Sequence, residues 1–186
     1  IQIAQHGYPL AQSLCPYMRS PLPHAKGQVL DNPSRAAHSA PMQTVLTFGD
    51  SNTHGTSPMT SRPAAGRYPP AIRWPGVMAQ TLGCALIEEG LPGRTTGMQD
   101  RGSGFKLLLI APAPVLETGV LATEFWGGAQ KSKSLAPLLR DLAQNRGVGF
   151  LDAGEHVGVS AIDGVHLEGP AHRTLGHAVA RAMSAL

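Results

Sequence analysis

Val45-Leu46-Thr47-Phe48-Gly49-Asp50-Ser51-Asn52 is the stretch on which the reading of this chain turns. The apolar, partly β-branched run predicts a strand over residues 43–48, of the kind buried on both faces of a parallel sheet. Gly49 permits a tight turn, and Asp50 can hydrogen-bond nearby backbone, so Ser51 is lifted to the C-terminal edge of the sheet. A capped strand-to-loop turn is the competing reading of the same four residues. Far downstream stands Asp163-Gly164-Val165-His166. Its short spacing lets a carboxylate hold one imidazole nitrogen while the other faces a nucleophile. A serine hydroxyl is a poor nucleophile until a base takes its proton, so Ser51, His166 and Asp163 form the candidate catalytic set.

The intervening chain alternates between the two periods of secondary structure. Residues 72–82 carry Trp74, Val77, Met78 and Leu82 at helical spacing. Residues 84–88 read as a strand, and 105–111 (Phe-Lys-Leu-Leu-Leu-Ile-Ala) as a buried one, stopped by Pro112 and Pro114. Leu135, Leu138, Leu139 and Leu142 form one stripe and predict a strong amphipathic helix over 135–145, ended by Arg146-Gly147. Residues 148–152 predict another strand, and 168–186 a closing helix with Leu175, Val179 and Met183 inward. Residues 53–70 and 90–104 read as Gly- and Pro-rich loops. Strands alternating with helices imply an α/β fold with a parallel sheet and right-handed crossovers, whose sites lie at the C-terminal strand ends.

Residues 1–41 contrast with this pattern. Six prolines punctuate them without sustained periodicity, which predicts an extended or disordered arm ahead of one domain over 42–186. The opening residues lack the basic-then-apolar pattern of a secretory signal, and no apolar run reaches membrane-span length. Cys15 and Cys84 make no disulfide framework, and a cytoplasmic setting is the expectation. The net charge of +3 divides into +2 before Met42 (Arg19, Lys26 and Arg35 against Asp31) and +1 after it. No basic stripe with interleaved aromatics is present, which argues against a nucleic-acid partner.

Other histidines compete with His166. His54 sits close to Ser51 on one short loop, His156 follows a strand without a carboxylate three residues before it and reads as exposed, and His172 and His177 fall on the closing helix as surface or packing residues. A metal site at Asp163/His166 has no third ligand nearby. Trp74, Phe125 and Trp126 are candidates for an apolar substrate pocket, with core packing the competing reading of Trp74. Asp50 and Asn52 are further candidates for substrate contact.

Phe-Gly-Asp-Ser-Asn-Thr (48–53), Arg-Trp-Pro-Gly-Val (73–77), Glu-Glu-Gly-Leu-Pro-Gly-Arg-Thr-Thr (88–96), Leu-Ile-Ala-Pro-Ala-Pro-Val-Leu-Glu-Thr (109–118), Gly-Gly-Ala-Gln-Lys-Ser (127–132) and Asp-Gly-Val-His-Leu (163–167) occur in this order. From about Met42 onward the chain resembles the SGNH/GDSL hydrolases, in their arylesterase and acyltransferase branch. The resemblance implies a flavodoxin-like three-layer α/β/α fold without metal or cofactor. It implies Ser51 as nucleophile, His166 as general base and Asp163 as its partner, with the amides of Ser51 and Gly93 forming an oxyanion hole. The small residues of 90–97 agree, since a backbone amide approaches an oxyanion only where its neighbours are small. The implied activity is hydrolysis of short-chain or aryl esters through an acyl-enzyme, with acyl transfer as a side activity.

One family block is missing. The expected strand ending in Gly-x-Asn-Asp, whose asparagine donates to the oxyanion, has no counterpart among Asn32, Asn52 and Asn145, the three asparagines of the chain. A strand and its crossover helix are lost with it, leaving a gap between the strands at 43–48 and 105–111. That loss supports an alternative, a catalytically impaired relative that binds a ligand or serves as a structural subunit. It also motivates the expectation of a homo-oligomer, because an open central edge seeks a partner.

Overall fold

A computed structural model describes residues 2–6, 43–94 and 106–186. Five strands form one sheet in the order β3-β2-β1-β4-β5, where β1 is Gln2–His6, β2 Thr44–Gly49, β3 Ala85–Gly90, β4 Lys106–Ala111 and β5 Gly149–Asp152. The pairs β2–β3 and β4–β5 are parallel. Helices α1 (Ser51–His54), α2 (Trp74–Leu82), α3 (Gly128–Lys133), α4 (Leu135–Arg146) and α5 (Gly169–Ser184) complete a three-layer α/β/α architecture.

The sheet is mixed rather than all parallel, because β1 runs antiparallel to both neighbours. Gln2 lies opposite Phe48 on one side and Leu109 on the other. Gln2–His6, read from sequence as part of an irregular arm, thus occupies the slot left by the missing family strand. The edges of β2 and β4 that would otherwise stand open inside the sheet are paired. The open central edge that motivated the expectation of an oligomer is therefore closed by the chain itself. The rest of the predicted arm lies outside the described residues, as does Cys15. Because β1 is reversed, its N-terminal end reaches the same rim as the C-terminal ends of β2 and β4.

The core lies between the sheet and the pair α2/α5. Trp74 and Met78 of α2 and Leu175, Val179 and Met183 of α5 pack with Val45, Leu108, Ile110 and Leu151. Burying each such aliphatic side chain contributes about 1.5–3 kcal/mol before its entropy cost. The predicted inward residues of α5 are buried, as are Trp74, Val77 and Met78 of α2. On the opposite face α4 packs against β4 and β5, with the Arg140 guanidinium over the Phe150 ring. There the leucine stripe does not behave as its spacing suggests. Leu138 is 64% exposed and Leu135 is also exposed, while Ala143 is the buried residue of α4. Ile87 on β3 is exposed too. An amphipathic stripe is buried only where a neighbouring layer exists, and this side of the sheet carries less cover among the described residues.

Candidate active site

Ser51 opens α1 directly after β2 and is half-buried. The Asp50 carboxylate caps this short helix, accepting from the Asn52 amide at 3.0 Å and the Thr53 amide at 3.4 Å. Asp50, a candidate substrate contact from sequence, therefore holds the turn that presents Ser51. Beneath the turn Arg73 donates to the Tyr68 carbonyl at 2.8 Å and pairs with Glu88 of β3.

Asp163 is fully buried, and its carboxylate accepts four hydrogen bonds. The donors are the Met59 amide (2.8 Å), the Val165 and His166 amides (3.0 Å each) and the His166 ring Nδ1 (2.8 Å). Burial alone would raise its pKa. The bonds from the His166 amide, the His166 ring, Met59 and Val165 outweigh that and hold it below the ordinary aspartate value. An ionised carboxylate only accepts, so the His166 Nδ1 must carry the hydrogen, and in the neutral ring Nε2 is left as a bare acceptor. His166 is itself 4% exposed. This arrangement readies an imidazole to take a proton at Nε2.

The loop carrying this pair is braced from several sides. Leu116 donates to the Gly164 carbonyl at 2.7 Å, Thr118 to the Ala161 carbonyl at 2.6 Å, and Ser160 to the His166 carbonyl at 2.8 Å. Gly164 has φ of +76°, and a Cβ there would stand 2.1 Å from the Leu116 carbonyl oxygen, so only glycine fits.

The Ser51 turn and the base loop are joined by Asn52. Its Nδ2 donates to the Val165 carbonyl at 3.1 Å, and its Oδ1 accepts from the Leu167 amide at 3.0 Å. Asn52, a candidate substrate contact from sequence, thus bonds backbone on either side of His166. Among the described residues no hydrogen bond joins the Ser51 hydroxyl to His166 directly. Gly93 lies beyond β3 with φ of +78° and no atom near where its Cβ would be. The Arg94 guanidinium lies 3.9 Å from the centroid of the Phe48 ring.

The two tryptophans separate. Trp74 is completely buried in the core, which removes it as a substrate contact, and Trp126 is 82% exposed. His156 is exposed, as its position suggested, and so is His177. His172 was read as surface or packing and is fully buried, with Tyr68 edge-on at 5.4 Å and neither ring nitrogen hydrogen-bonded. Burial first, then the charges of Arg73 and His166, lower its pKa to about 4. Sequence could have shown this. His172 lies on the same helical stripe as Leu175, Val179 and Met183. Among the described residues no cluster of His, Cys, Asp and Glu could hold a metal, and no helix is long and apolar enough to cross a membrane.

Solved structures share this architecture and carry related sequence. The M. smegmatis aryl esterase superposes with a TM-score of 0.68 at 26% identity, over 76% of this chain and 98% of that one. The chain is thus similar in fold and sequence to esterases of the SGNH/GDSL type. Est24, a carbohydrate acetylesterase from Sinorhizobium meliloti, gives a TM-score of 0.66 at 28% identity, over 75% of this chain and 97% of that one. A further carbohydrate acetylesterase family member from Sinorhizobium meliloti gives 0.65 at 25% identity, over 75% and 96%. No protein-family model matches the chain, and no curated protein does.

Proposed function

We propose that this chain is a hydrolase of the SGNH/GDSL type, cleaving short-chain or aryl carboxylic esters through an acyl-enzyme on Ser51. The observation that carries the reading is the buried Asp163–His166 pair, Nδ1 to Oδ2 at 2.8 Å, on a loop bonded to the residue that follows Ser51. Solved structures it resembles are named as an aryl esterase and carbohydrate acetylesterases, which supports an ester as substrate.

In this scheme the Ser51 hydroxyl attacks the ester carbonyl while His166 Nε2 takes its proton. Catalytic hydrogen bonds commonly tighten only when substrate is bound, so closure of Ser51 on His166 belongs to that step. Ionised Asp163 stabilises the resulting imidazolium. The Ser51 and Gly93 amides donate to the tetrahedral oxyanion. Collapse expels the alcohol, which takes the proton from His166. Water then attacks the acyl-enzyme, giving its proton to His166, and the carboxylic acid leaves as Ser51 recovers its hydrogen. An alcohol or peroxide in place of water gives acyl transfer. The missing asparagine predicts slower chemistry, since one oxyanion donor is worth roughly 10²–10³ in rate.

That same absence favours a second reading, an impaired relative that binds an ester or carbohydrate without turning it over. Hydrolysis of 4-nitrophenyl acetate separates the two. The enzyme reading predicts turnover that Ser51→Ala lowers by at least about 10³-fold. Equal slow rates for both proteins would favour the binder.

A further inference from the structure

We propose that Asn52 is a positioning residue, whose carboxamide sets the distance and angle between the Ser51 hydroxyl and the His166 ring. The inference rests on the catalytic reading of Ser51 and His166 and deepens it.

Asn52 is covalently next to Ser51, and its two hydrogen bonds fall on Val165 and Leu167, the residues flanking His166. A carboxamide offers one donor side and one acceptor side. Here each meets its complement, a carbonyl and an amide, as a neighbouring strand would meet them. The side chain is fixed at its root as well, because the Asn52 amide donates to Asp50 at 3.0 Å. The other bonds of the base loop run to segments outside residues 49–55, to Met59, Leu116 and Thr118. Among the described residues, then, the hydrogen bonds of Asn52 are those that tie the Ser51 turn to the loop of its base.

The chemistry explains why the residue type matters. Aspartate would keep an acceptor for the Leu167 amide but turn a second acceptor towards the Val165 carbonyl. Alanine removes both bonds. Glutamine is one methylene too long to bridge the same gap from the same backbone. Proton transfer between a hydroxyl and an imidazole depends steeply on geometry, and a misplacement of about 1 Å can cost on the order of 10²-fold in rate.

The test compares wild type, Asn52→Ala, Asn52→Asp and Ser51→Ala on 4-nitrophenyl acetate. Functional sites are counted by labelling with a fluorophosphonate to its endpoint, so that unfolded molecules drop out. The expected result is a roughly 10–100-fold lower kcat per labelled site in both Asn52 variants, with KM within about threefold of wild type. The rate constant of labelling should fall in parallel. A merely structural role would lower the number of sites or the melting temperature and leave both per-site rates unmoved. An active wild type and a dead Ser51→Ala, with an Asn52→Ala or Asn52→Asp kcat within threefold of wild type, would overturn this inference alone. A Ser51→Ala as active as wild type would overturn the catalytic reading and the inference together.

Discussion

The two rims of the candidate site are built to different standards. On one, Asp163 is sealed from water and accepts four hydrogen bonds, and its loop interlocks with the 116–118 segment and with Asn52. On the other, the turn after β3 is held by the Leu91 amide on the Gly49 carbonyl at 3.0 Å and the Arg94 amide on the Leu91 carbonyl at 3.1 Å. Gly93 stands there in open space. The difference teaches where this chain invests its structure. A buried carboxylate must have every lone pair satisfied, or its charge is costly, so the acid–base rim cannot be loose. A backbone amide awaiting an oxyanion carries no such demand.

The comparison can be broken first at the carboxylate. Asp163→Asn should keep the shape of the loop while stabilising the wrong tautomer of His166, with kcat lower by roughly 10³–10⁴-fold. Steady-state kinetics on 4-nitrophenyl acetate reads this, and a loss under tenfold would mean the sealed rim serves folding rather than catalysis. Two glycines of nearly equal φ then sharpen the contrast in stability. Gly164→Ala adds a clash with Leu116 to the left-handed strain and should cost roughly 2–5 kcal/mol. Gly93→Ala carries the strain alone, about 1–2 kcal/mol. Urea denaturation of the two variants measures the difference, and equal losses would erase the distinction between the rims.

His172, packed near the acid–base rim, supplies the pH dependence. Its pKa is about 4 in the fold against an ordinary 6.5. Between those values the unfolded chain binds the proton and the folded chain does not, so stability falls as pH drops from about 6.5 towards 4. The full effect is on the order of 3 kcal/mol. Depression of the Asp163 pKa acts in the same direction, but only as pH falls through the more acidic aspartate range. Urea midpoints at pH 7.5 and 5.0 should therefore converge in His172→Phe relative to wild type. An unchanged gap would show that another group carries the dependence.

Much of this architecture was legible in the sequence, for local reasons. Apolar runs bounded by Gly or Pro located β2 to β5 within two residues, and helical periodicity located α2, α4 and α5. What escaped depends on partners distant in the chain. Gln2–His6 becomes a strand through pairing with β2 and β4, some forty and a hundred residues away, and carries no long apolar run to announce it. The leucine stripe marked α4 as a helix, but periodicity does not reveal whether a covering layer exists, and Leu135 and Leu138 are exposed. At the site, Ser51, Asp163 and His166 stand in short motifs that chemistry can interpret. Asn52 stands in one of them too, yet its role needed two bonds spanning more than a hundred residues. The contribution of the Met59 amide to Asp163 had no side-chain signal at all.

Fluorophosphonate labelling followed by peptide mass spectrometry tests the central claim most directly, since it reads Ser51 and its activation together. The account predicts a single adduct on Ser51 in wild type, formed much more slowly in His166→Ala. No adduct, an adduct elsewhere, or equal labelling of the two proteins would contradict it.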